Sequence, residues 1–227
     1  MMRVKILMTE FVTHDVRRFI LEKPPGFTFV PGQATDIAIN KPGWVDKKHS
    51  FTFTSLNDDL VLEFTIKGYK LDLYPNHTGV TQKLHQLIPG DELLIDEPWG
   101  TIHYKGTGIF VAGGAGITPF IAILRQLKKD GKIDGHKLLF SNKEVKDVIL
   151  ENEFRDMFGN PDELVLTLTR EKHDGYEFGR IDKVFLQKHV KDFSENFYIC
   201  GPRKMVDELK IILKDLGAKT ESVVFEE

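Results

Sequence analysis

The sequence predicts two domains: a small antiparallel β-barrel over residues 1–104, followed by an α/β unit with a parallel sheet over residues 105–227. Three observations predict this. The first hundred residues hold six short runs rich in β-branched or aromatic residues, each bounded by turn signals. After about Tyr104 the rhythm changes to strand, then helix, repeatedly. A chain of 227 residues is long for one small domain and suits two of about 100 residues each.

The barrel strands are read from VKILMTEFV, RRFILEK, ATDIAIN, FTFTSL, LVLEFTIKG and DELLIDEP. Pro24-Pro25-Gly26, Pro31-Gly32, Pro42-Gly43, Asn57-Asp58-Asp59 and Pro89-Gly90 separate them, at a spacing that suits a closed barrel. One segment differs. In HTGVTQKLHQLI, from His77, the residues Val80, Leu84 and Leu87 recur at helical spacing.

In the second half GIFVAGG reads as a buried strand. TPFIAILRQLKKDG then reads as a helix with Thr118 as N-cap, Pro119 at its first position and Gly131 as its stop. KLLFS precedes a helix over DVILENEFRDMF, LVLTLTR precedes one near DKVFLQKHV, and NFYIC precedes PRKMVDELKIILKDLG. In that last helix Met205, Leu209, Ile212 and Leu216 share a face. Such alternation implies a parallel sheet with right-handed crossovers, and places the boundary at Tyr104–Gly106.

Composition excludes several classes. The single cysteine, Cys200, rules out an intramolecular disulfide framework and an iron–sulfur cluster held within this chain. A net charge of −3 without a basic stripe gives no reason to expect nucleic acid. No run approaches the roughly 18 apolar residues of a membrane span, and MMRVKILMTEF lacks the features of a secretory signal. The expectation is a cytoplasmic protein with no membrane partner and no metal site.

Several stretches carry possible chemistry. GGAGITP (Gly113–Pro119) joins a strand to a helix, where glycines and free N–H groups suit an anion such as pyrophosphate. It equally suits a tight turn, and its G-x-G-x-x-P spacing departs from the common dinucleotide fingerprint. CGPRKM (Cys200–Met205) puts a thiol at the same sheet edge, either as a small buried hydrophobe or as part of a site. His77, Thr78, Gly79, Val80 and Thr81 form a helix cap or a phosphate turn. HSFTFTS (His49–Ser55) sets Phe51 and Phe53 on one face and Thr52 and Thr54 on the other. That pattern fits a heteroaromatic ring with polar edges, and fits an aromatic core equally well.

Taken in order, these motifs resemble the ferredoxin–NADP reductase-like superfamily of flavoproteins, over nearly the whole chain. The resemblance is closest to short flavodoxin reductase-like members without an iron–sulfur domain. HSFT matches the family's R-x-Y-S/T flavin motif, and Gly79-Val80-Thr81 its flavin-phosphate turn. GGAGITP matches the nicotinamide-nucleotide loop, CGPRKM the terminal C-G-P-x-x-M, and EPWG (Glu97–Gly100) the segment closing the barrel.

The resemblance implies a flavin-binding barrel, a nucleotide-binding α/β domain, FAD, and NADH or NADPH. It implies that Phe51 lies against the flavin and that Thr52 contacts its redox-active edge. Ser50, Thr65, Ile66 and Lys67 would line the ribityl and nucleotide region, and Gly79, Val80 and Thr81 the phosphates. Gly114, Gly116, Ile117 and Thr118 would approach the pyridine-nucleotide pyrophosphate, with Asn142 and Arg170 further along the sheet edge. Cys200 would sit beside the nicotinamide, with Gly201, Pro202 and Met205 after it. Thr52, Cys200 and Glu226 are the implied catalytic residues.

Three departures stand out. His49 replaces the motif Arg, which predicts weaker FAD retention or support from Lys47 or Lys48. Phe51 replaces Tyr. Beyond Glu226 only Glu227 follows, where the family commonly places an aromatic. SNKE (Ser141–Glu144) and Arg170-Glu171 mix acid and base, and the reading leans slightly to NADH. The expected function is an NAD(P)H-dependent flavoprotein reductase. Its electrons would pass through FAD to a separate acceptor: a flavodoxin, a ferredoxin, a haem monooxygenase or a small molecule. Free-flavin reduction and a non-catalytic flavin- or nucleotide-sensing subunit are the alternatives.

Overall fold

Period-two burial in the first half builds one curled antiparallel sheet. The computed structural model describes residues 1–72, 74–76, 79–100, 102–160 and 162–219, and the backbone of 223–225. The barrel strands are β1 (Met2–Phe11), β2 (Val16–Glu22), β3 (Gln33–Ile39), β4 (His49–Thr52), β5 (Val61–Lys67), β6 (Glu92–Ile95) and β7 (Trp99–Gly100). They run in the order β4-β3-β6-β1-β2-β5, with β7 also on β3. The chain just past β4 closes the circuit: the Thr54 N–H donates to Glu63 O of β5 at 2.8 Å, and the Glu63 N–H to Ser55 Oγ at 3.0 Å. Closure leaves few unpaired edge groups.

Phe53 fills the barrel's centre. It stacks on Phe29 at 4.2 Å between ring centroids, and Phe64 and Phe27 pack at 5.0 and 5.8 Å. Phe51 packs at the rim of the same core and stays half-buried. The alternation expected in HSFTFTS therefore holds, but Phe53 serves the core and not a ligand surface.

The second sheet is parallel throughout. Its strands are β8 (Gly108–Gly113), β9 (Lys137–Asn142), β10 (Leu164–Leu168), β11 (Glu177–Phe178), β12 (Asn196–Cys200) and β13 (Val223–Phe225), in the order β11-β10-β9-β8-β12-β13. The central strand β8 is buried along its whole length, as a sheet covered on both faces requires. One layer packs α2 (Thr118–Lys129) and α3 (Glu151–Met157) against Phe110, Phe140 and Tyr198. The opposite layer packs α4 (Lys183–His189) and α5 (Arg203–Asp215) against Val111, Leu139 and Ile199.

Three local expectations are corrected. α1 is only Val80–Leu84, shorter than the pattern from His77 suggested. Thr118 is not a cap but the first residue of α2, because Gly114–Ile117 forms a 3₁₀ turn ahead of it, and the Thr118 hydroxyl bonds back to Ala115 O at 3.0 Å. DVILENEFRDMF does not run as one helix: Val145–Asp147 is a separate 3₁₀ turn held by a reciprocal Glu144–Asp147 capping box, and Leu150 takes a left-handed φ of 52°.

Candidate functional site

The carboxyl ends of β8, β9 and β12 converge on a cavity of about 690 Å³ that reaches across to the barrel. Parallel sheets place ligands at this edge, where strand order allows the connecting loops to part. GGAGITP and CGPRKM meet there. Residue for residue, β8 and β12 pair with Ala112 opposite Cys200, so the two loops leave the sheet side by side. Gly116 is forced by this approach: a Cβ there would collide with the Cys200 carbonyl and the Gly201 nitrogen. Gly114 adopts a left-handed φ of 53°, which turns the chain into the 3₁₀ segment.

Cys200 is buried at the cavity wall. Met205 packs beneath, so close to Gly113 that a side chain there would strike its sulfur. From the barrel come Lys67, Tyr69 and Tyr74. The two tyrosine rings meet edge to face at 5.1 Å, and Lys67 is anchored by Asp15 at 2.6 Å. Burial pushes the Tyr69 hydroxyl pKa up, so it stays protonated and able to donate.

Asn142, at the end of β9, is the clearest sign of a ligand. It is 95% buried, lines the cavity, and neither its amide nitrogen nor its oxygen has a partner among the described residues. A buried amide left unsatisfied costs about 1–3 kcal/mol, which a ligand with both a donor and an acceptor would remove. The glycine loops and the Asn142 wall together offer what a dinucleotide would need: room for phosphates beside the backbone and polar groups nearby.

The implied residues divide by what the structure places at the cavity. Lys67, Gly114, Gly116, Asn142, Cys200, Gly201, Pro202 and Met205 line it. Tyr69, Tyr74, Thr169, Arg180 and Lys204 line it as well and escaped the sequence reading, and so does Lys143, the basic member of SNKE. GYKLDLY after β5 was the available signal for the tyrosines. Arg170 stands exposed at the end of β10, outside the lining.

Other assignments are corrected at the level of side chains. Ile66, Val80 and Ile117 are almost fully buried in the two cores, so their side chains do not reach the cavity. The Thr65 hydroxyl sits 3.3 Å from that of Thr54, and the Thr81 hydroxyl accepts from the Tyr69 N–H at 3.2 Å. Thr81 thus ties the start of α1 to the cavity's tyrosine loop. Gly79 takes a left-handed φ of 78° directly before α1. His77, Thr78 and Glu226 lie outside the described residues.

On β4, His49 and Ser50 are exposed, and Thr52 is buried. The Ser50 hydroxyl donates to Asp36 Oδ1 at 2.6 Å, and the His49 ring meets Phe51 edge-on at 5.1 Å. The support expected from neighbouring lysines is committed elsewhere. Lys48 pairs with Asp96 at 2.6 Å, and Lys47 lies over the Trp44 ring at 4.4 Å.

Residues 110–210 match the family model described as an oxidoreductase NAD-binding domain. The chain is 25% identical to a nitrate reductase [NAD(P)H] of Betula pendula over 96% of its own length and 27% of the relative. It is 24% identical to NADH-cytochrome b5 reductase 2 of Danio rerio over 96% of its length and 82% of the relative. It therefore corresponds to about a quarter of the former and most of the latter. Among solved structures it superposes on a ferredoxin NADP+ reductase of Neisseria gonorrhoeae, solved with FAD and NADP, at a TM-score of 0.82 and 20% identity. That superposition covers 99% of this chain and 97% of the other. With a barrel and an all-parallel sheet in this order, the chain has the two-domain fold of that ferredoxin NADP+ reductase, and its second half matches an oxidoreductase NAD-binding domain.

Proposed function

We propose that the protein is an NAD(P)H-dependent flavoprotein reductase that binds FAD on the barrel and the nicotinamide nucleotide in the 690 Å³ cavity. The observation that carries this is the cavity edge itself, where the glycine loops after β8 and β12 leave the sheet side by side and Asn142 lines the wall with both amide atoms unpartnered among the described residues. When bound, FAD supplies a two-electron acceptor for hydride and a donor of single electrons. The chain's own residues supply position and exclusion of water. Gly114 and Gly116 bring backbone N–H groups to the pyrophosphate. Cys200, at the end of β12, sets the depth of the nicotinamide. Phe51 offers its ring, and Thr52, on the face of β4 turned away from the barrel core, offers a hydroxyl to the ring edge.

The acids beyond β9 and β10 have structural duties, which favours NADPH where the sequence pattern leans to NADH. Glu144 pairs with Lys146 at 2.5 Å and closes the capping box, and Glu171 accepts from the Val145 N–H at 3.0 Å. Lys143 and Arg180, both exposed, remain at the cavity as cations for a 2′-phosphate, with Arg170 beside them. The electron acceptor is proposed as a separate small redox protein such as a flavodoxin or ferredoxin, or a small molecule.

The test is anaerobic mixing of the FAD-loaded protein with NADPH or NADH. Bleaching of flavin absorbance near 450 nm within seconds is expected, with NADPH effective at a concentration at least about fivefold lower. Reversal of that preference would remove the assignment of the cations. Binding without bleaching by either nucleotide would contradict the reductase and favour a sensing role for the same two sites.

A further inference from the structure

We propose that Arg125 is a positioning residue for hydride transfer, pinning the nicotinamide-nucleotide loop to the flavin strand across the domain seam. The inference rests on the reductase reading above and names a residue that no motif identified. Arg125 lies on α2, seven residues past Thr118, or roughly 10 Å along the helix that grows from GGAGITP. Its guanidinium uses the whole fork. Nε and Nη2 donate to the two carboxylate oxygens of Glu153 on α3, at 2.6 and 2.9 Å. Nη1 donates to the barrel: to the Thr54 carbonyl at 2.6 Å and to Glu63 Oε1 at 2.7 Å.

The barrel end of this contact is built for it. Thr54 follows β4 by two residues, its N–H donates to Glu63 O, and its hydroxyl donates to Glu63 Oε1 at 2.8 Å. The other Glu63 oxygen lies 3.7 Å from Arg18 Nη1 on β2. The Arg125 and Glu63 side chains are only 18% and 11% exposed. The Lys129–Asp58 pair, by contrast, is far more exposed and is screened by salt. Burial alone would lower the Arg125 pKa, but the hydrogen bonds it donates to Glu153 and the charge of Glu63 raise it, so its charge is permanent.

A buried ion pair is a poor source of net stability but a strict geometric device, because misalignment leaves charges uncompensated. An apolar seam tolerates sliding, whereas a planar fork bonded on both sides does not. Hydride transfer is sensitive to this: a misplacement of about 1 Å can cost on the order of a hundredfold in rate. Arg125 joins the backbone just past Thr52 to the helix that begins at Thr118, directly after the turn that holds Gly116. It therefore fixes the two surfaces that must sandwich the reacting rings.

The test compares Arg125→Gln, Arg125→Lys and Glu63→Gln with the native chain, all loaded with FAD. Expected for Arg125→Gln are FAD and NADPH dissociation constants within threefold of native. The flavin reduction rate at saturating NADPH should fall at least tenfold, with a weaker long-wavelength charge-transfer absorbance. Arg125→Lys, with one donor in place of a fork, should recover part of the rate, and Glu63→Gln should fall with Arg125→Gln. In the protein without nucleotide, hydrogen exchange should quicken at residues 53–55, 63 and along α2 only. A native reduction rate in Arg125→Gln, or a deficit that vanishes with excess FAD, would overturn the proposal. Exchange quickened evenly over both domains would overturn it too, by marking a general stability role. Failure of the native protein to bleach with either nucleotide would instead sink the reductase reading, while the exchange measurement still decides whether Arg125 joins the domains.

Discussion

His49 occupies the exposed end of β4, with its ring edge on Phe51 and the nearby lysines engaged elsewhere. An imidazole offers fewer donors to a pyrophosphate than the planar fork of the family's Arg. His49→Arg is expected to tighten FAD binding about tenfold. Fluorescence titration with FAD checks this, and equal affinities of native and variant would remove the argument. Residues whose role depends on backbone approach were legible in the sequence, because glycine is the visible mark of a tight passage: Gly114 and Gly116 are where the motif placed them. Residues whose role depends on a distant partner were not. Arg125 sits in a helix of ordinary amphipathic pattern, and nothing local ties it to Thr54, 71 residues earlier.

Among the elements, the short α1 and its following turn form the acid-sensitive part of the barrel. His85 caps α1, its Nε2–H donates to Ile66 O at 2.8 Å, and its ring fills the space beside Gly68 so tightly that a side chain on Gly68 would strike it. Burial holds the His85 pKa below its ordinary 6.5. The Ile66 hydrogen bond opposes this, and the nearby charge of Arg17 adds to it; Arg17 Nη1 also donates to His85 O at 2.7 Å. Burial depresses His136 and His189 likewise. In the unfolded chain these imidazoles take up protons near pH 6.5, and in the folded chain they resist until lower pH. The stability they contribute is therefore complete above about 6.5 and is lost as pH falls through their folded pKa values. Urea midpoints should drop between pH 7.5 and 5.5, and His85→Gln, which keeps a donor for Ile66 O, should flatten that drop. An unchanged slope in the variant would place the acid sensitivity elsewhere. Element types were legible wherever periodicity ran long, as in α2 and α5. The capping box at Glu144–Asp147 and the left-handed Leu150 cut the third helix short because local hydrogen bonds outweighed its apolar period.

At the scale of the whole molecule, two domains with different rhythms share one seam, and both the rhythm and the order of motifs were readable in the chain. What lay beyond reading was how the seam is filled. Phe53 could equally have faced a ligand or a core, and only barrel closure at Thr54 and Glu63 turns it inward beside Phe29. Tyr69 and Tyr74 reach the cavity because the loop after β5 folds over α1 and is tied there by Thr81. The proposed division of labour is barrel for the flavin, sheet edge for the dinucleotide, and a buried arginine between them. Crystals of the native chain grown with FAD and NADP+ test that arrangement most directly. The account predicts an isoalloxazine against Phe51 and Thr52, and a dinucleotide bonded to the Asn142 amide with its nicotinamide toward Cys200. A seam filled by the protein's own side chains, or an Asn142 amide without a ligand contact, would contradict it.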